Sequence, residues 1–126
     1  MTAARALLSA AYLYLKIDPN RSISILSDAV KLINRIESPD FSRRFLMRKI
    51  EGKNFVRYAS FQIPGFSPES AFREMAQIEF DSALAQTSNF ADKSLRALTT
   101  LVLADYCLQR AAQQEKTEKT KKRTKP

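Results

Sequence analysis

The chain has 126 residues, of which 44% are hydrophobic and 10% aromatic, and its formal net charge is +8. This length fits one domain, and the apolar content excludes a wholly disordered chain. With only two glycines, most of the chain cannot adopt a turn-rich all-β fold. The chain has no histidine and only one cysteine, so the commonest metal ligands and acid–base groups are nearly absent. We therefore predict a mainly α protein that is not an enzyme and that takes no cofactor, metal or small-molecule substrate.

An apolar run extends from the N-terminus to Leu15. It is too short to span a bilayer, and larger residues follow where a signal-peptide cleavage site requires small ones. We favour a helix over a signal peptide, which predicts a cytoplasmic protein without a membrane segment. Because this helix is apolar around most of its circumference, it needs neighbours on more than one side. Leu8, Tyr12 and Leu15 are predicted to form an exposed or partner-covered apolar edge.

Two sequence signals predict where helices begin. In Asp18-Pro19 and in Ser67-Pro68, a side-chain oxygen can cap the first free backbone amides, and proline fits the first helical position. The first of these helices is expected to end at Ser38-Pro39, because the residue before a proline avoids the helical conformation. The second is expected to bend around residues 76–78 and to continue to Gln86.

Residues 43–63 have two interpretations. Two arms rich in aromatic and branched residues flank a glycine-containing turn at Gly52, which is typical of a β-hairpin. A helix that ends at Gly52 is the alternative. We favour the hairpin because residues 55–63 suit a strand better than a helix. Since a lone two-stranded hairpin is marginal in water, its apolar side is predicted to lie on the helices.

The longest helical pattern extends from Asn89 to Arg110. Its apolar residues recur every three or four positions, so they are predicted to form one broad core-facing side of a helix. Those residues are Leu95, Leu98, Leu101, Val102 and Leu108.

Two further residues of this helix have structural interpretations. Cys107 is predicted to be a small buried hydrophobe rather than a reactive thiol. Asp105 lies close to the apolar side, and it is expected either to pair with an arginine or to be exposed at the edge of that side. The arginines considered are Arg5, Arg57 and Arg96.

Residues 114–126 contain no hydrophobic side chain and carry much of the positive charge. We predict one helical domain over residues 1–113, with the hairpin as an insert, and a disordered basic tail over residues 114–126.

Two segments share a small residue early in a helix, a polar connection that contains phenylalanine, and a basic residue before the next apolar run. They are SDAVKLINRIESPDFSRRFL from Ser27 and DSALAQTSNFADKSLRAL from Asp81. Repetition of one helical hairpin and chance similarity both explain this echo, and we favour repetition.

The stretch EFDSALAQTSNFADKSLRALTTLVLADYCL from Glu79 resembles bacterial tetratricopeptide-like and related helical-repeat proteins. The chain departs from the usual tetratricopeptide pattern, because it lacks tryptophan and because the aromatic hairpin interrupts the series. The resemblance implies a protein-interaction or scaffolding role within an α-solenoid, with this chain as the C-terminal part of a longer array, and it implies no catalytic residues.

The partner predicted first is therefore another protein or a second copy of this chain, and nucleic acid is the alternative. Cations near aromatic residues are what single-stranded nucleic acid binds, and the hairpin carries both. The hairpin patch comprises Arg43, Arg44, Arg48, Lys49, Lys53, Arg57 and Tyr58. The sites chosen for the nucleic-acid alternative are Arg48, Lys49 and Arg57 in the hairpin and Lys121, Lys122 and Arg123 in the tail.

Overall fold

The computed structural model describes residues 1–42 and 45–123, without the side chains of Leu46 and of residues 118–123. Over these residues the protein is mainly helical with one two-stranded antiparallel sheet, as predicted. In chain order the elements are α1 (Thr2–Tyr14), α2 (Pro19–Ile33), β1 (Phe45–Gly52), β2 (Phe55–Gln62), α3 (Pro68–Ile78), α4 (Phe80–Ser88) and α5 (Lys93–Arg123).

Both predicted helix starts are confirmed. An Asp18 carboxylate oxygen accepts a hydrogen bond from the Arg21 amide at 3.0 Å and caps α2, and the Ser67 hydroxyl accepts one from the Ser70 amide at 3.4 Å and caps α3. The predicted bend lies one residue later, at Glu79, whose non-helical backbone (φ −136°, ψ 71°) separates α3 from α4. Helix α2 ends at Ile33, which is earlier than the proline signal predicts.

Helix α3 lies at the centre of the helical body, because it packs against α1, α4 and α5. The α1–α2 pair forms a helical hairpin that meets the rest through α1 on α3 and α2 on α4. On α3, Phe72 is fully buried and its ring lies 5.6 Å from the ring of Phe90. The largest other fully buried apolar side chains are Leu8, Leu26, Val30, Ile33, Met75 and Leu103.

The predicted edge of α1 is wrong for two of its three residues. Leu8 and Leu15 are buried in the core of the chain itself, and Tyr12 is half-buried. The reason is that α2 and α3 both pack on α1 and supply the neighbours that its apolar circumference requires.

A tight turn also covers α1. Gly65 has a φ of 68°, and a β-carbon there would collide with the side chain of Tyr12. Any other residue would therefore combine an unfavourable backbone conformation with a steric clash.

The predicted apolar side of α5 is divided between two surfaces. Leu95 and Val102 are buried, whereas Leu101 and Leu108 are exposed. Cys107 is also exposed, so its prediction as a buried hydrophobe is wrong. The reason is the position of each residue around the helix. The body covers the side of α5 that carries Thr99 and Leu103, whereas Leu101, Cys107 and Leu108 project away from the body.

Asp105 forms an ion pair, but with a residue that sequence analysis did not consider. Its carboxylate accepts a hydrogen bond from the Arg73 guanidinium on α3 at 2.8 Å, and both side chains are partly exposed. The predicted partner arginines are therefore wrong. Nothing in the sequence places α3 against this turn of α5.

Residues 114–123 continue α5 as a helix, which differs from the predicted disordered tail. Glutamine, glutamate and lysine are good helix formers, and a helix satisfies its backbone hydrogen bonds without burying side chains. Every described side chain from Cys107 to Thr117 is exposed, so this part of α5 lies outside the buried core.

The two echoing segments fold differently. The segment from Asp81 connects α4 to α5, whereas the segment from Ser27 connects α2 to strand β1. No helix among the described residues is long and apolar enough to cross a membrane.

Candidate interaction arm

The hairpin of residues 45–62, which we call the arm, is confirmed as two paired strands. β1 and β2 pair antiparallel from Phe45 opposite Gln62 to Gly52 opposite Phe55, joined by a two-residue turn at Lys53 and Asn54. Aromatic and branched residues favour extended backbone, and the short polar turn lets the two strands pair directly.

The arm does not lie on the helices, and this prediction is wrong. The core of the helical body contains no described side chain of the arm, and all described large apolar side chains of the arm are exposed. Tyr58 is 67% exposed, Met47 58% and Phe55 56%. The complete set is Phe45, Met47, Ile50, Phe55, Val56, Tyr58 and Phe61.

Both faces of the arm carry apolar side chains, because the strands alternate them between the two faces. From the strand register, one face combines Phe45, Met47, Val56 and Tyr58. The opposite face combines Ile50, Phe55, Ala59 and Phe61. A partner could therefore contact the arm from either side.

The cations predicted to act together divide between these faces. Arg48 and Arg57 share the face of Phe55 and Phe61, whereas Lys49 points to the opposite face and forms an ion pair with Glu51. Within the described side chains, Arg48, Lys53 and Arg57 form no ion pair. The structure thus supports a two-arginine surface rather than the predicted set of three cations.

The other predicted nucleic-acid residues cannot be placed at the arm. Arg43 and Arg44 lie outside the described residues. Lys121, Lys122 and Arg123 lie in the last turn of α5, and their side chains are outside the described set.

Arg5 of α1 anchors both ends of the arm to the helical body. Its guanidinium is buried and lies 5.7 Å from the ring centre of Phe41, before β1, and 5.0 Å from that of Phe66, after β2. An Arg5 terminal nitrogen also donates a hydrogen bond to the Asp40 carbonyl at 2.7 Å. Sequence analysis missed this role, although an arginine in an otherwise apolar helix is a signal that it needs a specific partner.

A cleft of about 590 Å³ opens at the base of the arm. It lies between the end of β2, the start of α3 and Val102 on α5. Its one lining cation, Arg73, is engaged by Asp105. Among the described residues, no group of cysteine or carboxylate side chains could hold a metal ion. The arrangement offers surface for binding.

Fold and site together define a mainly helical protein that bears a two-stranded arm anchored at both ends. Comparison with protein-family models, curated proteins and solved structures found no match to this chain.

Proposed function

We propose that this protein is a non-catalytic binding protein whose arm contacts another protein. The observation that carries the proposal is the exposure of seven large apolar side chains on a two-stranded ribbon. A ribbon of this kind is marginal in water on its own, and exposed apolar surface of this extent is typical of interaction sites. A partner that covers the arm would remove that surface from water.

The anchoring of the arm supports the same proposal. Arg5 contacts the chain on both sides of the hairpin, at Asp40, Phe41 and Phe66, and so holds the segments that flank the arm on the body. A fixed base lowers the entropy lost when the arm docks on a partner.

The tetratricopeptide-like type belongs to this proposal as well. The helical hairpin α1–α2 and the packing of α4 on α5 support a helical-repeat scaffold. We propose that this scaffold acts in the cytoplasm. The arm and the extra helix α3, which lies between the two helix pairs, are departures from a regular array.

The arm's charge favours nucleic acid as a second candidate partner. Residues 45–62 carry four cations against one carboxylate, a net charge of 4 − 1 = +3. Arg48 and Arg57 lie on the same face as the aromatic side chains of Phe55 and Phe61, which suits backbone contact combined with base stacking.

Site-specific photo-crosslinking tests the first candidate. A photoreactive amino acid replaces Tyr58 on the arm or, as a matched control, Ile17, which is 77% exposed but lies outside the arm. In cells, we expect a discrete protein adduct from position 58 and none from position 17. Equal adduct patterns from both positions would refute the arm as the binding element.

Binding to a labelled single-stranded oligonucleotide tests the second candidate. Anisotropy measured between 50 and 200 mM salt should show a steep loss of affinity if the arm binds phosphates. Arg48→Ser with Arg57→Ser should weaken binding, whereas Lys49→Ser on the opposite face should have a smaller effect. Equal effects of the two changes would exclude the two-arginine face as the binding surface.

A further inference from the structure

Helix α5 carries a second apolar stripe on the side away from the core. The side of α5 that faces the core contains Leu95, Thr99 and Leu103, which are all buried. Leu101 lies about 160° around the helix from Thr99, given roughly 100° per residue. The residues of this outer stripe, which we call the seam, are Ala97, Leu101, Ala104, Leu108 and Ala111, and all are exposed.

The spacing of the seam is that of a coiled-coil contact. Its members alternate four and three residues apart, which is the a/d pattern of a heptad repeat, and none is charged. Leu101 is 67% exposed and Leu108 71%. A seam of this spacing packs against a helix that presents the same spacing. The pattern therefore predicts both the contact surface and a helical partner.

The composition of the seam makes it complementary to itself. Leucine occupies one heptad position and alanine the other. When two copies run antiparallel about a twofold axis, each leucine can lie opposite an alanine of the second copy, so large meets small along the contact. A parallel pair would instead place leucine on leucine and alanine on alanine, which packs less evenly.

Charge favours the same arrangement. From Glu115 to Pro126 the sequence has six cations and two carboxylates, a net charge of 6 − 2 = +4. Parallel helices would bring two such segments side by side, whereas antiparallel helices carry them to opposite ends. The arm, with a net charge of +3, finds no opposite charge among the seam residues and is a poor occupant for it.

We propose that α5 pairs antiparallel with α5 of a second copy through the seam. The seam covers residues 97–111, or about 21 Å of helix at roughly 1.5 Å per residue. Stable interfaces bury roughly 1,000 Å² or more, and two leucines and three alanines are a small apolar set for such a contact. The dimer is therefore reversible and depends on protein concentration. This inference is independent of the function proposed for the arm.

Sedimentation equilibrium over a concentration series, in reducing buffer, tests the dimer. The wild-type chain should show a monomer–dimer equilibrium. The double change Leu101→Glu with Leu108→Glu should raise the dissociation constant of the dimer at least tenfold. Ile17→Glu is the matched control, because Ile17 is equally exposed and lies outside the seam. Circular dichroism checks that each variant keeps its helices, which is expected since the replaced leucines are exposed.

Spin labels distinguish the two orientations. In a Cys107→Ser background, a single label at Gln114 should give a distance in the dimer of roughly 24–35 Å if the pair is antiparallel, given roughly 1.5 Å per residue. The two limits belong to pairs centred near Tyr106 and near Leu103, the two registers in which each leucine lies opposite an alanine. A distance under about 20 Å would indicate a parallel pair and overturn the proposed arrangement. A wild-type monomer at every concentration would overturn the dimer, as would a dimer unaffected by the seam changes. Loss of the dimer on Phe55→Ser in the arm would assign the contact to the arm instead.

Discussion

Asp18 shows how much a single side chain can specify. Its carboxylate accepts the hydrogen bond of the Arg21 amide at 3.0 Å, and Pro19 occupies the first helical position. Both effects are local, because the cap satisfies a backbone amide three residues away and needs nothing from the rest of the fold. The start of α2 can therefore be predicted from the sequence.

Asp18→Ala is expected to lower the free energy of unfolding by about 1 kcal/mol, the usual cost of losing a helix cap. Urea denaturation measures this change. The control is Asp28→Ala, which removes an exposed carboxylate whose ion pair with Lys31 lies on the surface of the same helix. The control should cost less than about 0.5 kcal/mol. Equal losses would mean that the cap does not stabilise α2 beyond an ordinary surface contact.

At the scale of elements, Arg73 and Asp105 connect α3 to α5. The guanidinium lies 2.8 Å from the carboxylate, and Gln109 donates a second hydrogen bond to the same oxygen at 2.8 Å. The side chains of Arg73 and Asp105 are 41% and 46% exposed, so water screens the pair. The packing of α3 on α5 must come mainly from buried residues such as Phe72 and Leu103.

A double-mutant cycle of Arg73→Ala and Asp105→Ala is expected to give a coupling energy of roughly 0.2–1 kcal/mol at low salt. The coupling should fall when the salt concentration is raised to 1 M, because the Debye length shrinks to about 3 Å. Chemical denaturation of the four proteins with urea, which leaves the ionic strength unchanged, measures it. A coupling that is large and insensitive to salt would contradict the account of a screened pair.

At the scale of the whole molecule, the arm and the helical body are separate in their packing. The core of the body takes its residues from the five helices and from adjoining loops, and it includes none of the described side chains of β1 or β2. The segments that flank the arm contact the body instead, and Phe66, which follows β2, is buried beside Arg5.

Replacement of residues 45–62 by a short Gly/Ser linker is therefore expected to leave the helical body folded. Far-ultraviolet circular dichroism should retain the helical signal, and the thermal midpoint should change by only a few degrees. Phe72→Ala in the full chain is the comparison, because truncating a buried phenylalanine costs about 3–5 kcal/mol. Loss of cooperative unfolding in the variant that lacks the arm would show that the arm stabilises the body.

The sequence by itself determined the features that depend on near neighbours in the chain. The capped starts of α2 and α3, the bend before α4, and the hairpin with its turn after Gly52 all follow from backbone preferences and side chains a few residues apart. These predictions are confirmed because their physical causes are local.

Only the tertiary structure decided which apolar surfaces are covered. Leu8 and Leu101 both belong to apolar helical stripes, yet Leu8 is buried and Leu101 is exposed. The arm likewise has the pattern of a strand pair with an apolar face to bury, and the fold leaves it uncovered. Periodicity places residues on one side of a helix or strand, but the neighbour that covers that side comes from elsewhere in the chain. Helix α3 illustrates this, because it packs on α1 and on one side of α5, whereas the seam lies on the other side of α5 and stays exposed.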